Sequence, residues 1–134
     1  EICACLVGSE MCIRDRDVDA IILEPETILY MSAESVRELI VGYRNKGLCS
    51  KKWKSVEVML AAIEKEYYIK ILPLKKEHML TYARLEINEA QGHKDPSDHV
   101  IIAHAMTEHL PLISSDTRFE FYRKQGLDLI FNKK

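Results

Sequence analysis

No stretch of this sequence approaches the ~20 consecutive apolar residues that a bilayer-crossing helix needs. A secretory signal would need a basic start and a longer apolar core than the first residues offer. There is no excess of positive charge. Lysines and arginines number 19 against 21 acids, a net of −2, so no global basic field advertises nucleic acid, and any such contact must be local. A paired C-x-x-C is missing too, which leaves Cys3, Cys5 and Cys12 without the spacing or the fourth ligand of a structural metal site. Internal repeats and low-complexity tracts are absent. Four cysteines without a leader fit a reducing compartment and a cytoplasmic location.

What is present is the content of one globular domain. A chain of 134 residues buries roughly two-thirds of the surface it would expose unfolded. Apolar residues make up 47% and charged residues 30%, enough apolar content to argue against disorder. The first sixteen residues stand apart, because they carry neither a helical nor a strand period. Within them, Met11-Cys12-Ile13-Arg14-Asp15-Arg16 resembles the translation of a linker used to prepare sequencing libraries. Residues 1–16 are therefore read as a non-native segment, ahead of a single domain over residues 17–134.

From Asp17 onward the pattern is coherent. Val18, Ile21 and Ile22 suit the tail of a helix ending before Pro25. Thr27–Met31 is a short apolar run, as expected of a strand buried on both faces. Ser32 caps a helix to about Asn45, with Val36, Leu39, Ile40 and Tyr43 on one face and Gly47 just past its end. A second helix from Ser55 uses Val56, Met59, Leu60 and Ile63. The next strand is Tyr67–Leu72, stopped by Pro73. A helix over Lys75–Leu85 follows, with Met79, Leu80, Ala83 and Tyr82 expected to face inward. Then come a helix from Pro96 to His109, a strand at Leu110–Ser114, a short helix at Thr117–Lys124 and a last strand at Leu127–Phe131. Alternating strands and helices imply βαβ units and a mainly parallel sheet covered on both faces.

In such a sheet, ligands bind beyond the carboxyl ends of the strands. Glu38 lies one turn into the helix after the first of these strands. Asp95 and Asp98 open the Pro96 helix, and Asp116 follows the Leu110–Ser114 strand. Converging carboxylates repel one another, and a hard divalent cation relieves them. Each acid also has a purely structural reading. Asp95-Pro96-Ser97-Asp98 is a good helix cap with proline at N1, and Ser35-x-x-Glu38 and Thr117-x-x-Glu120 have capping-box spacing. Pattern alone supports an acidic pocket on an α/β domain and leaves caps and ligands both open.

Three segments resemble the PIN-domain family, and within it the VapC-type toxins of type II toxin–antitoxin pairs. They are Ser32-Ala33-Glu34-Ser35-Val36-Arg37-Glu38-Leu39, His93-Lys94-Asp95-Pro96-Ser97-Asp98-His99 with Ile101-Ile102-Ala103-His104-Ala105, and Leu110-Pro111-Leu112-Ile113-Ser114-Ser115-Asp116-Thr117-Arg118-Phe119. The resemblance implies a three-layer α/β/α sandwich and a ribonuclease dependent on magnesium, or on manganese. It also implies a cognate antitoxin as silencing partner and a homodimer. Glu38, Asp98 and Asp116 match the family's catalytic, metal-binding acids, and Asp95 is a supporting acid. Three departures accompany the match. The family's first strand ends in an aspartate, and here that strand is expected to be missing or replaced by residues 1–16. His99 stands where relatives carry arginine, and Ser97 where they carry an aromatic residue.

Weaker signals remain. Arg44, Lys46, Lys51, Lys52 and Lys54 form a basic stretch that suits either RNA phosphates or a solvated loop. Trp53 reads as packing, His104 as a helix-face residue, and Cys49 as a thiol without a base. Two other functions compete with the nuclease. One is an inactive PIN-like module that binds RNA or an antitoxin, because the fourth acid is missing. The other is an unrelated magnesium-dependent phosphohydrolase, which would need a nucleophilic aspartate that the sequence does not show.

Overall fold

A computed structural model of the chain describes residues 3–7 and 27–131. In it, five strands form one parallel sheet: β1 (Cys3–Val7), β2 (Thr27–Ser32), β3 (Ile69–Leu72), β4 (Leu112–Ser114) and β5 (Leu129–Phe131). Their spatial order is β3-β2-β1-β4-β5. The helices are α1 (Ala33–Lys46), α2 (Val56–Lys65), α3 (Lys76–Arg84) and α4 (Pro96–Glu108), followed by a 3-10 helix at Thr117–Gln125. The expected helix over Asp17–Leu23 lies outside the described residues.

The place of the first strand is filled. Cys3–Val7 runs parallel to both β2 and β4, with Leu6 opposite Tyr30 on one side and Leu112 on the other. Of the two expectations for the first strand, missing or replaced, the structure shows the second: residues within 1–16 take its place. Leu6 is fully buried, and the segment's strand character comes from its pairing with β2 and β4, which lie far from it in sequence.

Side chains alternate across the sheet and divide the core in two. Leu29, Met31 and Ile69 point to a cluster with Val36 and Leu39 of α1, Met59, Ala62 and Ile63 of α2, and Trp53. Leu6, Leu112 and Leu129 meet Ile101, Ile102 and Ala105 of α4 together with Phe119, Tyr122 and Leu127. Helices thus cover both faces, giving the expected three-layer α/β/α sandwich with a parallel sheet. Trp53 is buried and meets Tyr67 edge-on at 6.2 Å, a packing residue as its sequence context implies.

Local signals set most helix ends. The Ser32 side chain accepts the Glu34 N–H, and Gly47 ends α1 at φ 66°, a left-handed conformation that costs glycine little. Ser55 caps α2 and Asp95 caps α4, with Pro96 at the first helical position. The face of α3 departs from expectation. Met79, Leu80 and Ala83 are exposed and His78 is the buried residue. Polar partners turn the helix: His78 Nε2 meets Glu108 of α4 at 2.7 Å, and the hydroxyls of Thr81 and Thr107 meet at 2.6 Å. An apolar-stripe rule cannot anticipate a helix that docks through buried polar groups.

Candidate metal centre

The acids gather where β2 and β4 end. Ser114 closes β4 and its Oγ accepts the Asp116 N–H at 3.1 Å, so the chain turns at once into the 3-10 helix. Asp116 caps that helix, with Oδ1 accepting the Arg118 backbone N–H at 2.9 Å. Asp98 sits in the first turn of α4, where the unpaired N–H groups of the helix start favour a carboxylate. The expected capping role of Asp95 is seen directly, its Oδ1 accepting the Ser97 N–H at 3.0 Å. Capping therefore aims the turn, and the next acid along the helix reaches the sheet end.

One atom each of His93, Asp98 and Asp116 lies within 4.8 Å of the others, a spacing at which a single cation can touch all three. Two of the four sequence-predicted acids are thus brought together, and Asp95 and Glu38 are not in that group. Asp95 is exposed at the cap, yet its charge acts on Asp98. Glu38 is half-buried on α1, and its charge, like that of Asp95, acts on Arg37. A separate polar knot joins the two helix starts beside the cluster. Ser97 Oγ donates to Glu34 and receives Arg37 Nη2 at 2.9 Å. Serine at position 97 fits this small bridge, where an aromatic side chain would not make it.

The electrostatics of the two central acids are opposite. Burial pushes the Asp98 carboxyl up, and the neighbouring charges of Asp95 and Asp116 add to that push against the His93 hydrogen bond. Asp116 is held below the usual carboxylate range, chiefly by its hydrogen bonds with the Arg118 guanidinium, at 3.0 Å to Oδ1 and 2.7 Å to Oδ2. An unrelieved, partly desolvated carboxylate beside a second one is a donor set that suits a hard divalent cation.

His93 is the site residue that the sequence pattern does not single out. It is fully buried, with Nε2 3.0 Å from Asp98 Oδ2 and Nδ1 2.9 Å from the Tyr122 hydroxyl. A histidine five residues ahead of the helix-start acid, in a loop ending at a proline cap, is the signal that could have found it. The other histidines of the region serve packing. His99 Nε2 donates to the His93 carbonyl at 2.8 Å, and His104 Nδ1 is hydrogen-bonded to Ser32 Oγ at 2.8 Å. Among the basic residues of the loop, Lys52 lies 5.1 Å from the ring centres of both Trp53 and Tyr67, which gives that lysine a structural task.

Comparisons with known proteins agree with this fold. The PIN domain family model matches residues 13–125. Solved structures match across nearly the whole chain. That of VapBC2 from Rickettsia felis, bound to a DNA fragment from its promoter, is 17% identical and covers 96% of this chain and 98% of that one, with a TM-score of 0.70. VapBC-1 from nontypeable Haemophilus influenzae is 23% identical, with coverage of 96% and 97% and a TM-score of 0.64. VapBC-5 from Mycobacterium tuberculosis is 20% identical, with coverage of 98% of both chains and a TM-score of 0.62. Comparison with curated protein sequences gives no match. These likenesses share the parallel α/β sandwich, and the family model spans most of the residues that build the acidic edge: the chain belongs to the PIN domain family.

Proposed function

We propose that this chain is the toxin of a VapC-type toxin–antitoxin pair and a divalent-metal-dependent endoribonuclease of the cytoplasm, silenced by its antitoxin and working as a homodimer. The observation that carries the reading is the approach of Asp98 and Asp116 at the carboxyl end of a parallel sheet. The antitoxin partner is supported by the neighbours, which are VapBC structures. Asp98 and Asp116 would hold a magnesium or manganese ion, with Glu38 and Asp95 completing the negative rim. When bound, such an ion lowers the pKa of a water and neutralises charge on a phosphodiester. Asp98 offers it a carboxylate already short of water, and Asp116 offers one whose charge persists to low pH. Arg37 and Arg118, on either side of the acids, would meet RNA phosphates. We also assign residues 17–134 to the domain proper and residues 1–16 to a non-native segment filling a strand position. The family match, residues 13–125, leaves β1 outside it and takes in residues 13–16.

A second reading keeps the fold and removes the chemistry. No acid lies in Cys3–Val7, although this strand ends beside β2 and β4 and would be the natural carrier of a fourth carboxylate. On that reading the chain binds RNA or an antitoxin without cutting. Cleavage of labelled RNA with and without magnesium, by the wild-type chain and by Asp98→Asn, separates the two. Magnesium-dependent cleavage that Asp98→Asn abolishes supports the nuclease. RNA binding with no cleavage at any magnesium concentration supports the inactive module, and equal cleavage by wild type and variant removes Asp98 from the mechanism.

A further inference from the structure

Asp98 is the end of a hydrogen-bonded series that runs into the core. The Asn88 N–H is donated to the Tyr122 hydroxyl at 3.1 Å, so that oxygen already acts as an acceptor. His93 Nδ1, 2.9 Å away, is the acceptor within reach of the hydroxyl's own hydrogen. With Nδ1 accepting, the ring hydrogen sits on Nε2, which donates to Asp98 Oδ2 at 3.0 Å. Both Tyr122 and His93 are wholly buried. The histidine cannot rotate out of the series. The rings of His99, Phe119 and Tyr122 pack on it at 4.8, 5.2 and 5.5 Å, and its carbonyl is tied down by His99.

We propose that Tyr122 and His93 are positioning residues for Asp98: the tyrosine hydroxyl fixes the histidine tautomer, and the histidine holds one carboxylate oxygen so that the acid is presented to a cation in one orientation. This rests on the metal-centre reading above and deepens it, since His93 acts on the ion through Asp98 and is not itself a ligand. The alternative, Nε2 as a direct ligand, requires the opposite tautomer and leaves the Tyr122 hydrogen without its acceptor. A carboxylate fixed by such an outer partner binds its metal more tightly than a freely rotating one, and loss of the partner typically weakens binding about 10- to 100-fold.

The experiment uses the full chain and manganese alone. Manganese affinity is measured by calorimetry for wild type, Tyr122→Phe, His93→Phe, His93→Gln and Asp98→Asn, with far-UV dichroism and a metal-free thermal transition for each. Long-range proton–nitrogen NMR on the metal-free chain reads the His93 tautomer. The expected result is Nε2–H in wild type and a mixed tautomer in Tyr122→Phe. The dissociation constant should rise about tenfold or more in Tyr122→Phe and His93→Phe, with partial recovery in His93→Gln, whose amide can still donate. A role in packing alone would lower the metal-free transition and leave the affinity of the folded protein unchanged. Wild-type affinity in folded Tyr122→Phe and His93→Phe, with binding lost in Asp98→Asn, overturns the positioning role and spares the metal centre. Should His93→Phe fail to fold, Tyr122→Phe decides alone. Failure of wild type to bind manganese, or equal binding by Asp98→Asn, removes the metal centre and the positioning role with it.

Discussion

The guanidinium of Arg118 grips both carboxylate oxygens of Asp116, with Nε 3.0 Å from Oδ1 and Nη2 2.7 Å from Oδ2. An acid proposed to hold a cation is therefore already paired with a cation of the protein's own. The charge of Arg118 also acts on Asp98 and Asp95, so it partly neutralises the whole edge.

Removing that charge should favour a metal ion. Arg118→Gln is expected to tighten manganese binding roughly five- to tenfold, because one like charge is withdrawn from within a few ångströms and 1.4 kcal/mol corresponds to a factor of ten. RNA affinity should fall in the same variant if the arginine also meets phosphate. Calorimetry with manganese checks the first expectation; affinity that falls on substitution would mean that Arg118 organises Asp116 and does not compete for it.

Acid should destabilise the fold through His104. This ring is fully buried, its Nε2 has no partner, and burial together with the neighbouring His78 holds its pKa down to about 4. Between pH 6.5 and 4 the unfolded chain takes up a proton that the folded chain refuses. Stability therefore falls as the pH drops through that window, by on the order of 3 kcal/mol, and levels off below it for this group. His99, also held down by burial, acts in the same direction. Glu108, held low by its bond to His78, loses its contribution only below about pH 4.5. Urea unfolding of wild type and His104→Gln across pH 7.5 to 4.5 should show a flatter dependence in the variant; parallel curves would show that His104 is not the group responsible.

The register of α3 can be tested by a pair of substitutions. Leu80 is exposed on that helix, so Leu80→Glu should change stability by no more than about 0.5 kcal/mol. His78 is buried, accepts the Lys75 N–H at 2.8 Å and meets Glu108 at 2.7 Å. His78→Ala should cost about 2–4 kcal/mol, from the cavity and the stranded partners together. Denaturant midpoints for the two variants check this, and the reverse ranking would restore the apolar-stripe reading of the helix.

Much of the architecture is written locally. Ser32, Gly47, Ser55 and Asp95 act as caps where the sequence puts cap residues, since capping is satisfied by a residue's own backbone neighbours. The order of strands and helices and the α/β class were likewise legible from runs, breakers and spacing, which also put Glu38, Asp95, Asp98 and Asp116 on one edge without choosing among them. The face of α3 was not, because its docking depends on His78 meeting Glu108 thirty residues away. Nor was β1 legible, because its place in the sheet depends on pairing with β2 and β4, distant in sequence.

For the site, the sequence by itself determined which acids stand at helix starts and strand ends on one edge of a parallel sheet. Only the tertiary structure decided which of them meet, with Asp98 and Asp116 within 4.8 Å alongside His93 while Asp95 stays at its cap. It alone showed that His93 and Tyr122, both fully buried, stand behind Asp98. The physical reason is range. Caps and periods arise among residues a few positions apart, whereas the orientation of a carboxylate depends on partners that only packing brings from distant parts of the chain.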